Sequence, residues 1–314
     1  MTRLSPTRPS TPPDTTDISE TKGIPMGNNL ENHFDTTGPI DLKVEVLVGD
    51  VTLTAGDGPT TTVRLRPHGK GGAELAEKFT VEARGNDVVV ISPKVRDGFF
   101  SFAGRGSVDV EVELPSSSTV DVKSGSGDIQ ASGLLGDVRA ATGSGDLAFH
   151  EVGSADLKSG SGDIALQSAR ADVDVKTGSG DISVGSAGGR LELVSGSGDI
   201  SLRRSDAPVR AKTGSGDVQI GASTGDLDLM TGTGDVNLGG VHGGEVRAKT
   251  GTGDVTIAVA NGVAAYLDLN TVTGDVKIAL EEAAGPGDAE AQCRLVVHSG
   301  SGDIRVKRAQ VSLA

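Results

Sequence analysis

Residues 172–203 read DVDVKTGSGDISVGSAGGRLELVSGSGDISLR, two passes through one phrase, T/S-G-S/T-G-D, with a short alternating apolar segment on either side of it. The phrase recurs through the last two-thirds of the chain, and its aspartates are Asp128, Asp146, Asp163, Asp181, Asp199, Asp217, Asp235, Asp254, Asp275 and Asp303. Neighbouring aspartates are 18, 17, 18, 18, 18, 18, 19, 21 and 28 residues apart, a period of about 18 with two late insertions. Aligned on the aspartates, four columns are apolar in every copy. They fall one residue after the Asp (Ile182, Ile200, Val218), three after it (Val184, Leu202, Ile220), six before it (Val175, Leu193, Ala211) and eight before it (Val173, Leu191, Val209). Spacing by two on each side of a glycine-rich turn is the signature of half-buried strands.

Each unit therefore reads as strand (172–176), turn (177–180), strand (181–185) and second turn (186–190). A single unit has one thin apolar face and cannot bury it alone. Stacking successive units lets like residues form ladders and gives every strand parallel partners about 4.8 Å away. The expected fold is all-β, a parallel β-solenoid of the β-helix or β-roll kind, with right-handed winding and ten coils in a rod of roughly 50 Å. An antiparallel meander of the same strands is the competing arrangement, but it gives no reason for one turn to recur at every second strand.

Four segments follow. Residues 1–36 are rich in Pro and Thr without periodicity and read as a disordered tail. Residues 37–117 form an N-terminal β module: alternation begins at Ile40, passes through Val44, Val46 and Gly49-Asp50-Val51 like a looser first coil, and continues to Leu114 before Pro115. A solenoid end leaves strand edges unpaired, so this module is expected to cap it, with Phe99, Phe100 and Phe102 sealing the core. Residues 118–308 are the solenoid, and 309–314 a short tail.

Composition narrows the function. With 47 glycines but only one tyrosine, six phenylalanines and no tryptophan among 314 residues, the core is aliphatic and the glycines punctuate strands. A formal net charge of −14 without a Lys/Arg run argues against a nucleic-acid partner. One cysteine, Cys293, excludes an internal disulfide framework, and five scattered histidines suggest neither a zinc site nor a Cys/His nucleophile pair. No cofactor is expected. The first 21 residues lack the apolar segment of a secretory signal, and no apolar run approaches the ~20 residues of a membrane span, so the sequence points to the cytoplasm, with envelope association as the alternative.

The aspartate column is the most suggestive chemistry. Ten carboxylates at coil spacing repel one another by roughly 0.9 kcal/mol per neighbouring pair in water, which is tolerable only if they stay exposed or are capped. Each lies one residue from an inward side chain and should point outward. Lys123, Lys158, Lys176, Lys212 and Lys249, five residues earlier, bring positive charge near the same corner. A structural role in the turn is the simpler reading. The alternative, a calcium-binding β-roll, places its Asp two residues before the apolar position and in both half-turns, unlike this phrase. A polysaccharide-active β-helix enzyme would need convergent carboxylates, whereas these run along one corner. The threonines of the phrase precede glycines in a turn and make no flat ice-binding face. Both late insertions, 258–266 and 279–294, fall in the second turn. The longer carries Glu281, Glu282 and Cys293, which makes it the expected partner loop.

The run from Ile40 to Ile304 resembles the bacterial putative-adhesin family of β-strand-repeat proteins, a family labelled a domain of unknown function. The resemblance rests on Val46-x-x-Gly49-Asp50-Val51, on Val112-Glu113-Leu114-Pro115 and on the serial Gly-Asp-Ile/Val phrases. It implies a β-solenoid and a non-catalytic adhesin or binding module linked to the cell envelope, with an unidentified protein or envelope component as partner. A structural scaffold assembling end to end is the second expectation.

Overall fold

The structure, a computed structural model, describes residues 24–26, 29–93, 106–281 and 291–309. Among these the chain is almost entirely strand, with one short helix, Gly72–Ala76. The strands form two long sheets, and each coil contributes one strand to each.

The second sheet has 13 strands. In spatial order it begins with Thr80–Arg84, Asp87–Ile91, Asp41–Val48, Thr119–Ser126 and Val138–Ser144, advances one repeat at a time to Gly244–Thr252, and ends Ala291–Ser301, Val263–Thr273. The first sheet has 15 strands. It begins Ile24–Met26, Asn29–Asp35, Thr60–His68, Ser107–Pro115, Val51–Gly56, Ile129–Leu134, advances likewise to Val255–Val259, and ends Ile304–Arg308, Val276–Ala279. Pairing between coils is parallel and in register, for example Ile164 with Ile182 and Ile182 with Ile200. The fold is thus the all-β parallel solenoid that the 18-residue period implies.

The four apolar columns become the interior. Val173, Val175, Ile182 and Val184 are buried, as are their counterparts in the neighbouring coils, and the two inner faces make one continuous core. Fully burying such a side chain is worth about 1.5–3 kcal/mol, so the core draws its strength from repetition. Each coil is covered by the coils on either side as well as by the facing sheet.

Two features differ from simple stacking in chain order. The last two repeats are exchanged: Ala291–Ser301 and Ile304–Arg308 lie between the coil of Gly244–Val259 and the coil of Val263–Ala279. Identical columns let either repeat sit on the Gly244–Val259 coil, and the long connection after Ala279 lets the last repeat pass over its predecessor. The late insertions also lengthen strands as well as turns, since Val263–Thr273 and Ala291–Ser301 each run 11 residues.

The N-terminal end shows a similar exchange. The coil Asp41–Gly56 sits inside the stack, between Thr119–Leu134 and the later pair Asp87–Ile91 and Ser107–Pro115. Antiparallel strands then close this end: Thr60–His68 on Ser107–Pro115, Asn29–Asp35 on Thr60–His68, and Thr80–Arg84 on Asp87–Ile91. Within the segment expected to be a disordered tail, Ile24–Met26 and Asn29–Asp35 are instead paired strands, because the edge of Thr60–His68 offers a partner to the second and the second to the first. The Phe99, Phe100 and Phe102 cluster lies outside the described residues.

Candidate binding face

The Gly-Asp corner is held by two ladders. Oδ1 of each aspartate but the last, Asp275, accepts the main-chain N–H of the aspartate one coil on: Asp163 from Asp181, Asp181 from Asp199 and Asp199 from Asp217, each at 2.8 Å. The ladder starts at Asp109, passes through Asp50 and Asp128, and ends at Asp303 accepting from Asp275. Beside it, the buried Thr or Ser hydroxyl four residues before the Asp donates to the carbonyl of the glycine preceding the Asp of the adjacent coil, as in Thr177 to Gly162 (3.1 Å) and Ser195 to Gly180 (2.9 Å). The structure thus brings all ten repeat aspartates into one outward column, where all but Asp275 cap the backbone of the next coil. Asp109 and Asp50 extend it. Gly49-Asp50-Val51 signals the second, while Asp109 carries no Gly-Asp phrase and could be found only by its strand parity.

The N–H groups donated to Asp254 and Asp303, together with Arg305 on the first and Lys277 on the second, hold both carboxyls below the ordinary aspartate range. An oxygen already receiving an N–H is a poorer metal ligand, and among the described residues no group of three metal-ligating side chains converges. The expected lysine pairing is different in detail. Lys158 and Lys176 bridge Asp156 and Asp174, two residues before them on the flat face of the second sheet, at 2.9 and 3.0 Å. Strand parity puts residues two apart on one face, whereas the corner aspartates lie beyond the turn.

Of the three residues of the expected partner loop, two are described. Glu281 is exposed just past Val276–Ala279, and Glu282 lies outside the described residues. Cys293 belongs to a strand, paired between Gly244 and Ala265, and burial pushes its thiol up to about 11. A buried thiol in the core offers nothing to a partner.

A site that sequence reading did not single out lies on the outer face of the first sheet. A shallow groove of about 720 Å³ crosses the strands from Val51–Gly56 to Ile200–Ser205. One in-register column forms its floor: Thr52, Gln130, Ala148, Ala165, Ser183 and Ser201. Beside it stand Ser132, His150, Gln167, Gly185 and Arg203, and Leu53, Ala131, Phe149, Leu166 and Val184 contribute between them, so the lining is more apolar than polar. Short floor side chains expose the sheet surface, and Gly185 leaves room for Arg203, whose Nη2 would lie 3.3 Å from any Cβ there. Six strands at about 4.8 Å give a length of roughly 24 Å along the rod. The chain carries 43 acidic residues, yet none lines this groove. The signal in the sequence was the run of small, uncharged residues two after each Asp, at positions 130, 148, 165, 183 and 201.

Comparison with known proteins matches this architecture to the Toastrack DUF4097 family over residues 40–221 and 207–313. The chain belongs to that family, a domain of unknown function. Similar solved structures include a "putative adhesin" from Bacteroides fragilis at 14% identity, covering 88% of this chain and 96% of that one with a TM-score of 0.38. A "putative lipid binding protein" from Parabacteroides distasonis is 13% identical, covering 89% and 97%, with a TM-score of 0.43. A "putative adhesin" from Parabacteroides merdae is 10% identical, covering 89% and 96%, with a TM-score of 0.40. No curated protein matches the chain. No helix among the described residues is long and apolar enough to cross a membrane.

Proposed function

We propose that this Toastrack chain is a non-catalytic, adhesin-like binding module whose contact surface is the groove on its first sheet. One observation carries the reading: in a strongly acidic protein, a groove spanning six strands sets hydroxyls, amides, His150 and Arg203 on a largely apolar sheet surface, without a carboxylate. Such a surface suits an extended, hydroxyl-rich chain of neutral or negative charge lying along the solenoid axis. Hydroxyl and amide groups donate to its oxygens, and Arg203 favours an acidic substituent. Glycoside hydrolysis needs a carboxyl pair flanking the scissile bond, and this lining supplies none. A polymer of the cell envelope is the natural ligand class, and such a ligand supports an envelope location over the free cytoplasm.

Titration of the full chain with dextran and dextran sulfate oligosaccharides tests this. The sulfated chain should bind more tightly than the neutral one, Arg203→Glu should weaken it at least about tenfold, and the oligosaccharide should be recovered uncut. Binding that is indifferent to Arg203→Glu and to Ser183→Trp, or no binding at all, refutes the groove. Cell fractionation checks the compartment.

A further inference from the structure

The two ends of the rod are not alike. At the N-terminal end the outermost strands are short or broken by charge and proline: Ile24–Met26 contains Pro25, and Thr80–Arg84 carries Glu82 and Arg84. Such features blunt an edge against pairing. The opposite end is the coil Val263–Thr273 with Val276–Ala279, each strand paired on one side only among the described residues. Val263–Thr273 is long and contains neither proline nor a basic residue. Of the exposed large apolar side chains among the described residues, all but Leu47 belong to this coil: Tyr266 (54%), Val272 (83%), Val276 (42%) and Ile278 (52%). Val276 and Ile278 occupy core columns that are sealed everywhere else in the repeat region except at Ala131. Asp275, last in the aspartate ladder, receives no main-chain N–H from a described residue.

We infer that this end coil is a dimerisation edge that takes the same coil of a second copy, tail to tail and antiparallel. The spacing of charge on the edge is self-complementary. Asp275, in the turn just before the strand, and Lys277 lie on one outer face, where Lys277 already bridges Asp275 and Asp303 of its own chain, so a two-fold pair centred on Val276 sets each Lys277 opposite the Asp275 of the other copy, twice. A Val263–Thr273 pair centred on Leu269 sets Asp268 opposite Asn270 of the other copy. Opposite charges directly across a strand pair stabilise it and like charges oppose it, so these registers are selected over the one centred on Lys277. Both copies bury Val276 and Ile278, and the two cores become continuous. Because the other end is closed by antiparallel strands, this is an isologous interface that stops at two copies; it does not generate an open-ended stack. It is independent of the groove, which lies several coils away on the sheet face.

Sedimentation equilibrium of the full chain tests it. Twice the chain mass is expected at ~100 µM. The double variant Tyr266→Lys/Val272→Lys, which adds charge at outward positions without touching the core, should raise the dissociation constant at least tenfold. Met230→Lys, mid-rod on the outward face, should leave it unchanged, and circular dichroism melts should show all three proteins folded. Hydrogen exchange should slow for amides of Val263–Thr273 as concentration rises. A wild-type monomer at ~100 µM, assemblies that grow beyond two copies, or a dimer indifferent to the double variant would each overturn the inference.

Discussion

The coil Val173–Thr177 with Ile182–Ala187 and the end coil Val263–Thr273 with Val276–Ala279 carry the same apolar columns in very different surroundings. Ile182 is 1% exposed in the first, while its counterpart Val276 is 42% exposed in the second. The difference teaches that burial in this fold is a property of neighbours. A coil encloses little by itself, and each side chain is sealed by the ladders above and below it.

Charge placed in the two coils should separate them most. Ile182→Asp puts an unpaired carboxylate between two neighbouring coils and should cost at least about 4 kcal/mol or abolish folding. Ile278→Asp can reach water and should cost about 1 kcal/mol or less in the monomer. Chemical denaturation of both variants at low protein concentration reads the contrast. Equal losses would mean that the end coil is as enclosed as the middle.

Glycine columns give the next effect. A Cβ at Gly196 would stand 2.4 Å from the carbonyl oxygen of Gly178, so neither strand could keep its spacing. Gly196→Ala should cost about 2–3 kcal/mol, the range of an overpacked interior. In the end coil the same column already holds Val272, and with a neighbour on one side only that coil can shift outward. Val272→Gly should therefore move stability by less than about 0.5 kcal/mol. A large loss from Val272→Gly would mean the valine is packed in the free chain.

These contrasts also mark what the sequence makes legible. The columns through Ile182 and Val175 identify strands, parity and interior because period-two burial repeats in every copy, and the Gly-Asp phrase locates the corner. The exchange of the last two repeats is hidden, because Val276 and Ile304 fit equally well against Val255 and only the path of the connection chooses between them. Lys176 stands close to the corner in sequence, yet a turn intervenes and its partner is Asp174. The groove was missed because its marks, Ala148, Ala165 and Ser183, are inconspicuous one at a time and form a surface only once the coils are stacked.

Smaller again is the loss of one rung of the aspartate ladder. Asp199→Ala removes the acceptor for the Asp217 N–H and should cost about 1 kcal/mol, partly offset by relief of like-charge repulsion at this exposed corner. Asp275→Ala removes no such acceptor and, at low protein concentration where the chain is a monomer, should be nearly silent. Thermal melts of the two variants compare them, and equal effects would show that the ladder contributes charge and not hydrogen bonds.

The smallest expected difference is in acid, and its sign follows from the two carboxyls held low near the open end. The N–H of Asp303 and the Arg305 guanidinium depress Asp254, and the N–H of Asp275 with Lys277 depresses Asp303. A carboxyl whose folded value lies below its unfolded value of about 3.9 binds fewer protons when folded. Its contribution is present in full above about pH 4 and fades as pH falls through the folded value, because the unfolded chain then gains protons first. Both groups are half-buried yet reached by water, so screening keeps the loss to a modest slope. The stability of the wild type should fall between about pH 4 and pH 2, and Arg305→Met should flatten that slope, since it removes the cation from Asp254 and Asp303 together. Hydrogen exchange under acid should then open the end coil before the middle of the rod. If the middle opened first, the closing of the core by neighbouring coils would have to be uneven in a way that the shared columns do not explain.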